Sequence, residues 1–135
     1  MIKEYKGEYN RKEFYSIMGQ FFAEPLYKRI LPYLKNDDDY IWLINKRGSK
    51  VVAFTAYKVG ENKIDFAVDF YRNKIEDLQV LTEQKLKDLK GSSKTIETAT
   101  ADPLIYKMFV GMGFVEVKKT ANYKFLVLEQ EVKND

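Results

Sequence analysis

The chain contains neither histidine nor cysteine. This excludes imidazole bases, thiol nucleophiles, disulfides and thiolate zinc sites, and with them a Ser-His-Asp triad. Proton transfer must fall to Asp, Glu, Lys or Tyr, to a substrate group or to water. The candidates are Asp65 and Asp69, Glu97, and the phenol of Tyr106. Asp65, Ala67 and Asp69 alternate with Ile64, Phe66, Val68 and Phe70. In a strand of period two this puts both carboxylates on one face. Each also has an ordinary structural reading, as a wet strand face or as a partner of a nearby Lys or Arg. Glu97, flanked by Thr95, Thr98 and Thr100, reads as a solvated or Lys-paired carboxylate. Ser92 and Ser93 follow a glycine and read as turn residues; nothing activates them as nucleophiles. Nothing in the composition suggests a bound metal.

The elements that must position these groups follow from hydrophobic periodicity and punctuation. Residues 2–6 read as a strand. Asn10 and Glu13 then form a capping-box pattern ahead of a stripe of Phe14, Ile17, Met18, Phe21 and Phe22. Pro25 suits the first position of a short second helix, with Leu26, Ile30, Leu31 and Leu34 on its buried side and Pro32 limiting it. Tyr40–Asn45, Val51–Val59 and Lys63–Phe70 read as an antiparallel meander with turns at Arg47-Gly48 and Gly60–Asn62. A helix over 74–89 is predicted, capped by Asn73 with Glu76 in a second capping box and ended by Gly91. Lys94–Thr100 is a strand. Asp102-Pro103 opens a helix with the stripe Leu104, Ile105, Met108, Phe109 and Met112, closed by Gly113. Phe114–Lys119 and Asn122–Glu129 form a final hairpin, and Glu131–Asp135 is a polar, fraying end. Trp42 and Tyr57 fall on the meander, as core or as lining of a groove.

The chain of 135 residues therefore reads as one α/β domain, 1–135, a mixed sheet with helices on both faces in the order β-α-α-β-β-β-α-β-α-β-β. Its net charge of +3 is spread without a basic stripe, so nucleic acid is not an expected partner. Met1–Tyr5 lacks an apolar signal region, and no apolar run approaches a bilayer span. A cytoplasmic setting without a membrane partner is expected.

This order of elements, together with Asp102–Phe114, resembles the GNAT superfamily of acetyl-CoA-dependent N-acetyltransferases. The local match is to the family's helix motif N-x-x-A-x-x-F-Y-x-x-x-G-F. Asp102 stands at its Asn, Ile105 at its Ala, Met108 and Phe109 at its Phe-Tyr, and Gly113-Phe114 at its close. The resemblance covers essentially the whole chain. It implies acetyl-CoA between the fourth and fifth strands, with the main chain of Ala67 and Val68 holding the pantetheine arm. It also implies an amine acceptor, small molecule or protein, and Asp69 or water as proton acceptor.

Two positions depart from the family's pattern. Its thiolate-protonating Tyr is replaced by Phe109, which leaves Tyr106, one turn earlier, as the substitute phenol. Its pyrophosphate loop, (Q/R)-x-x-G-x-(G/A), aligns with Arg72-Asn73-Lys74-Ile75-Glu76-Asp77. Arg72 is kept and both glycines are lost. Arg72, Asn73 and Lys74 would contact the phosphates, opposed by Glu76 and Asp77 at the helix end. The departures leave two further readings open: a non-catalytic module of this fold that binds another protein or a second copy of itself, and a divergent enzyme that modifies a nucleobase.

Overall fold

The computed structural model describes residues 1–130; the polar end Glu131–Asp135 lies outside the described residues. The elements follow the anticipated order: β1 (Ile2–Tyr5), α1 (Arg11–Ala23), α2 (Pro25–Ile30), β2 (Ile41–Arg47), β3 (Lys50–Val59), β4 (Lys63–Tyr71), α3 (Ile75–Asp88), β5 (Thr95–Thr100), α4 (Pro103–Gly111), β6 (Val115–Lys119) and β7 (Lys124–Leu128). They form a seven-stranded sheet in the order β1-β2-β3-β4-β5-β7-β6. β4 and β5 run parallel, and the other neighbouring pairs are antiparallel.

Two apolar layers hold the helices to the sheet. On one face Phe14, Met18 and Phe21 of α1 pack with Trp42, Ile44, Phe54, Val68 and Phe70. On the other, Leu78 and Leu81 of α3 and Ile105, Met108 and Phe109 of α4 pack with Ile64, Phe66, Ile96 and Leu126. Trp42 is fully buried, and its Nε1 donates to Asn36 Oδ1 at 2.9 Å, so it is core. Tyr57 is buried too, in the layer under α3, and does not line the cleft between β4 and β5.

Local chemistry explains the ends. The Asn10 side chain accepts from the Glu13 amide at 3.0 Å, so it caps α1. The reciprocal half of that box is missing, because the Glu13 carboxylate instead takes Lys3 Nζ and the Tyr5 hydroxyl. These two contacts hold the Glu13 carboxyl below its ordinary range. Gly113 ends α4 at φ +99°, a conformation that suits glycine at C′.

The short helix departs from its expected orientation. Leu26 and Ile30 are each 53% exposed, and Tyr27 is the buried residue. With six residues, α2 buries little more than one turn. Tyr27 fills it by packing on Phe21 and Phe70, at ring-centroid distances of 4.6 and 6.0 Å.

The most consequential departure lies within β4. Ala56 pairs with Val68 while the next residue of β3, Tyr57, pairs with Phe66. Ala67 is therefore an extra residue, a β-bulge. The bulge reverses the alternation: Ile64 and Phe66 face α3, whereas Val68 and Phe70 face α1. Asp65 and Asp69 consequently sit on opposite faces, not on one.

Candidate functional site

β4 and β5 stay in register only from Lys63↔Thr95 to Phe66↔Thr98. The Thr98 hydroxyl donates to Phe66 O at 3.3 Å at the last rung. Beyond it the bulge carries β4 away, and the strands part around a cleft of about 480 Å³. That volume lies within the range of small-molecule sites. The walls are Ala67–Tyr71, Ala99–Pro103 with Ile105, the segment 30–34 at the end of α2, and Tyr123. Backbone polar groups of β4 and β5 that lack a strand partner here are available to a ligand laid between the strands.

The bulge is fixed from beneath. Thr55 Oγ1 lies 2.8 Å from both Val68 O and Asp69 Oδ1, and it accepts from Lys85 Nζ at 2.6 Å. Lys85 Nζ also reaches Asp69 Oδ1 at 3.2 Å and stands 3.7 Å over the Phe66 ring. Lys85 is fully buried, and the Asp69 side chain is 6% exposed. Burial pushes the Asp69 carboxyl up and the Lys85 ammonium down; each restrains the shift of the other by its charge. Asp69 borders the cleft, but its carboxylate is turned toward α3 and engaged there. It is not a free base. Asp65, on the other face, has its carboxyl raised by burial, with Lys63 and Lys58 opposing. Glu97 pairs with Lys63 at 2.9 Å and is half-buried.

The expected phosphate loop is built differently from its sequence reading. Lys74 is the N-cap of α3 and makes no side-chain capping bond, so the Asn73–Glu76 capping box does not form. The Arg72 guanidinium turns inward. Its Nε donates to Val51 O at 3.1 Å, its Nη1 to the Tyr27 hydroxyl at 3.3 Å, and it lies 5.9 Å over Phe21. Asn73 and Lys74 are exposed, and neither they nor Arg72 line the cleft. Asp77 is held by both Arg47 Nη atoms, so its charge is compensated from β2 and Glu76 is left as the opposing carboxylate at the helix end.

Phe109 is fully buried in the core. Tyr106 stands outside the cleft, in a groove between α4 and the β6–β7 hairpin. Its hydroxyl is raised chiefly by a hydrogen bond to Glu116, and Lys124 Nζ sits 4.2 Å over its ring. Of the expected site residues, the structure brings Ala67, Val68 and Asp69 to the cleft and leaves Arg72, Asn73, Lys74 and Tyr106 off it.

Sequence reasoning missed the phenols that do line the cleft: Tyr33, Tyr71 and Tyr123. Tyr71 donates to Asp102 Oδ2 at 2.9 Å, a contact that spans the gap between the end of β4 and the start of α4. Burial and this carboxylate raise the Tyr71 hydroxyl to about 12, so it remains protonated at neutral pH. The position of Tyr71 next to Arg72 was the available signal. Asp102 Oδ1 caps α4 through the amides of Leu104 and Ile105, at 2.7 and 3.2 Å. Asp102→Ala is expected to cost about 0.5–2 kcal/mol in chemical denaturation. Asp102→Asn, which keeps a capping oxygen, should recover most of that.

No protein-family model matches the sequence, and no curated protein matches it. Solved structures do match. Escherichia coli ElaA aligns with a TM-score of 0.69 at 12% identity, over 96% of this chain and 100% of that one. The Campylobacter jejuni N-acetyltransferase PseH, solved in complex with acetyl coenzyme A, gives 0.63 at 13%, over 97% and 100%. The ribosomal-protein-S18-alanine N-acetyltransferase of Escherichia coli gives 0.67 at 14%, over 100% and 97%. At these identities the likeness establishes the fold. The chain has the mixed α/β fold of the GNAT N-acetyltransferases.

Proposed function

We propose that this GNAT-fold chain is an N-acyltransferase that moves an acetyl group from acetyl-CoA to an amine. The observation that carries the reading is the bulge at Ala67 beside the splay of β4 and β5, which opens a cleft between strands at the point where their pairing stops. The pantetheine arm would lie in that cleft, with main-chain groups of Ala67 and Val68 as its partners. When bound, acetyl-CoA supplies an activated acyl group as a thioester. The chain's own part is to orient the two reactants and to limit water around them, which is the main lever available to a site without His or Cys. An amine held beside Ala67 and Val68 would be placed to attack the thioester carbonyl, and with no His or Cys in the chain its proton would leave through water to the departing thiolate. Asp69 serves this reading by holding the bulge.

The phosphate end of the donor is held weakly in this reading. Glycines are absent from 72–77, and Arg72 is committed to Val51 and Tyr27. The first amides of α3, free of a side-chain cap, and Lys74 are the remaining contacts. Acetyl-CoA affinity is therefore expected to fall well below that of a family member with an intact glycine loop. Titration calorimetry checks this, and low-micromolar binding would contradict it.

Acetyl transfer to a panel of primary amines, followed by release of the CoA thiol, tests the function. Amine-dependent release is the expected result. Tyr106→Phe is expected to cost no more than about two-fold in rate, because the ring and its contact with Lys124 remain. A loss of roughly 10²–10⁴-fold would return Tyr106 to the role of general acid.

A second reading is a non-catalytic module that binds another protein. The Tyr71–Asp102 contact across the gap and the inward turn of Arg72 favour it. Absence of thiol release with every amine, together with no binding of acetyl-CoA, would select it.

A further inference from the structure

Beside the cleft runs a second groove, of about 450 Å³, between α4 and the β6–β7 hairpin. The two share Thr100–Pro103 and Tyr123 as a common wall. Three lysines line this groove, Lys107, Lys119 and Lys124, and all three are exposed. Some lysines elsewhere are matched, Lys3 with Glu13, Lys6 with Glu4, Lys58 with Asp37, Lys63 with Glu97 and Lys85 with Asp69. Others, Lys12, Lys28 and Lys74 among them, stand on the surface without an ion pair among the described residues; what sets the groove apart is that three lysines line one concave surface. Among the described residues none of the three groove lysines forms an ion pair.

Asp102 is the one carboxylate among the described residues lining the groove, and it is already engaged. Its Oδ1 takes two amides of α4 and its Oδ2 takes the Tyr71 hydroxyl. Glu116, whose carboxylate raises the Tyr106 hydroxyl, is not among the lining residues. The groove also has a fixed shape. Lys124 is held over the Tyr106 ring. The hairpin turn is tied by Thr120 N to Tyr123 O at 2.8 Å and by Tyr123 N to Thr120 Oγ1 at 3.1 Å. The Tyr123 ring rests against Tyr33 at 5.7 Å, across the cleft from the hairpin.

We infer that this groove binds an anionic group, a carboxylate or a phosphate, carried by the amine acceptor whose nitrogen reacts in the cleft. The inference rests on the acyl-transfer reading and names its substrate class. Lysine ammonium groups recognise oxyanions as point charges, and three lining one groove reinforce each other. The donor's phosphates have a separate place in that reading. The 72–75 segment that leads into α3 lines neither the groove nor the cleft. An anion in the groove and phosphates at α3 would therefore occupy different parts of the molecule.

The test compares matched amines: γ-aminobutyrate against butylamine for a carboxylate, and O-phosphoethanolamine against ethanolamine for a phosphate. Each is assayed with acetyl-CoA on the wild type and on the combined variant Lys107→Gln, Lys119→Gln, Lys124→Gln. The three positions are exposed, so the variant is expected to fold. In the wild type, kcat/KM for at least one anionic amine should exceed that of its neutral partner by about ten-fold or more, and the gap should shrink as salt rises. In the variant the preference should vanish while the KM for acetyl-CoA stays unchanged. Equal rates within both pairs would overturn the proposal. So would a rise in the acetyl-CoA KM with the preference intact, since the lysines would then serve the donor. Should no amine turn over, the acyl-transfer reading fails by itself, and the groove is read by NMR titration with O-phosphoethanolamine. Shifts at residues 119–124 that disappear in the variant would support the anion site, and their absence would overturn it.

Discussion

Asp69→Ala is expected to destabilise the folded chain by about 3–5 kcal/mol, a large fraction of the stability of an ordinary domain. The substitution leaves Lys85 fully buried without its counter-charge. It also takes away one of the two acceptors within reach of the Thr55 hydroxyl. Lys85→Ala should be comparably severe, because it strands the carboxylate and opens a void among Thr55, Phe66 and α3. The double change Lys85→Met with Asp69→Leu removes both charges and keeps the volume. It should recover most of the loss, since a buried ion pair exchanged for packed apolar side chains is often neutral. Urea denaturation of the four proteins is the measurement. A double mutant as unstable as the sum of the singles would show no coupling between the two side chains and would contradict the pairing of their charges. Single mutants within about 0.5 kcal/mol of wild type would contradict the geometry around Thr55 altogether.

Ala99→Trp should lower kcat/KM for acetyl transfer by about 10²-fold or more while leaving the denaturation midpoint nearly unchanged. Ala99 is exposed and lines the cleft on the β5 side of the splay. An indole there projects into space that the reactants must share, and displacement of a reactant by about 1 Å is enough for a loss of that size. A strand tolerates Trp well, so the fold should not pay the cost. The assay is thiol release with the best amine of the panel. Full activity in Ala99→Trp would move the chemistry out of this cleft.

Element order was legible in the sequence because each element carries its own punctuation. Asn10 and Asp102 cap helices with their side chains, Gly48 turns a hairpin at φ +60°, and Gly113 closes α4. The apolar stripes of α1 and α4 then placed those helices on the sheet. What escaped was the bulge. A single extra residue at Ala67 leaves no mark in composition, yet it moves Asp69 to the face opposite Asp65 and creates the splay. The buried lysine followed from the same omission. Lys85 sits four residues after Leu81 and seven after Leu78, on the inward face of α3, where lysine is expected to turn outward. A carboxylate on that face, with the Thr55 hydroxyl and the Phe66 ring, stabilises it, and an unbroken period of two had assigned Asp69 elsewhere.

The loop before α3 shows a different limit. Asn73 and Glu76 have the right types and spacing for a capping box, but the helix starts one residue later, and Lys74 takes the cap position. Arg72 matches a family pattern in type and place, yet Tyr27 and Val51 draw its guanidinium inward. Spacing locates a residue along the chain. It does not say which neighbours will claim its hydrogen bonds.

The most direct test of the central claim is an NMR titration of the isotope-labelled protein with acetyl-CoA. Binding in the splay predicts that the largest amide shifts fall on residues 66–71 of β4 and 98–102 of β5, with smaller changes at 74–76. No shifts up to about 1 mM acetyl-CoA, or shifts confined to surfaces away from both strands, would contradict it.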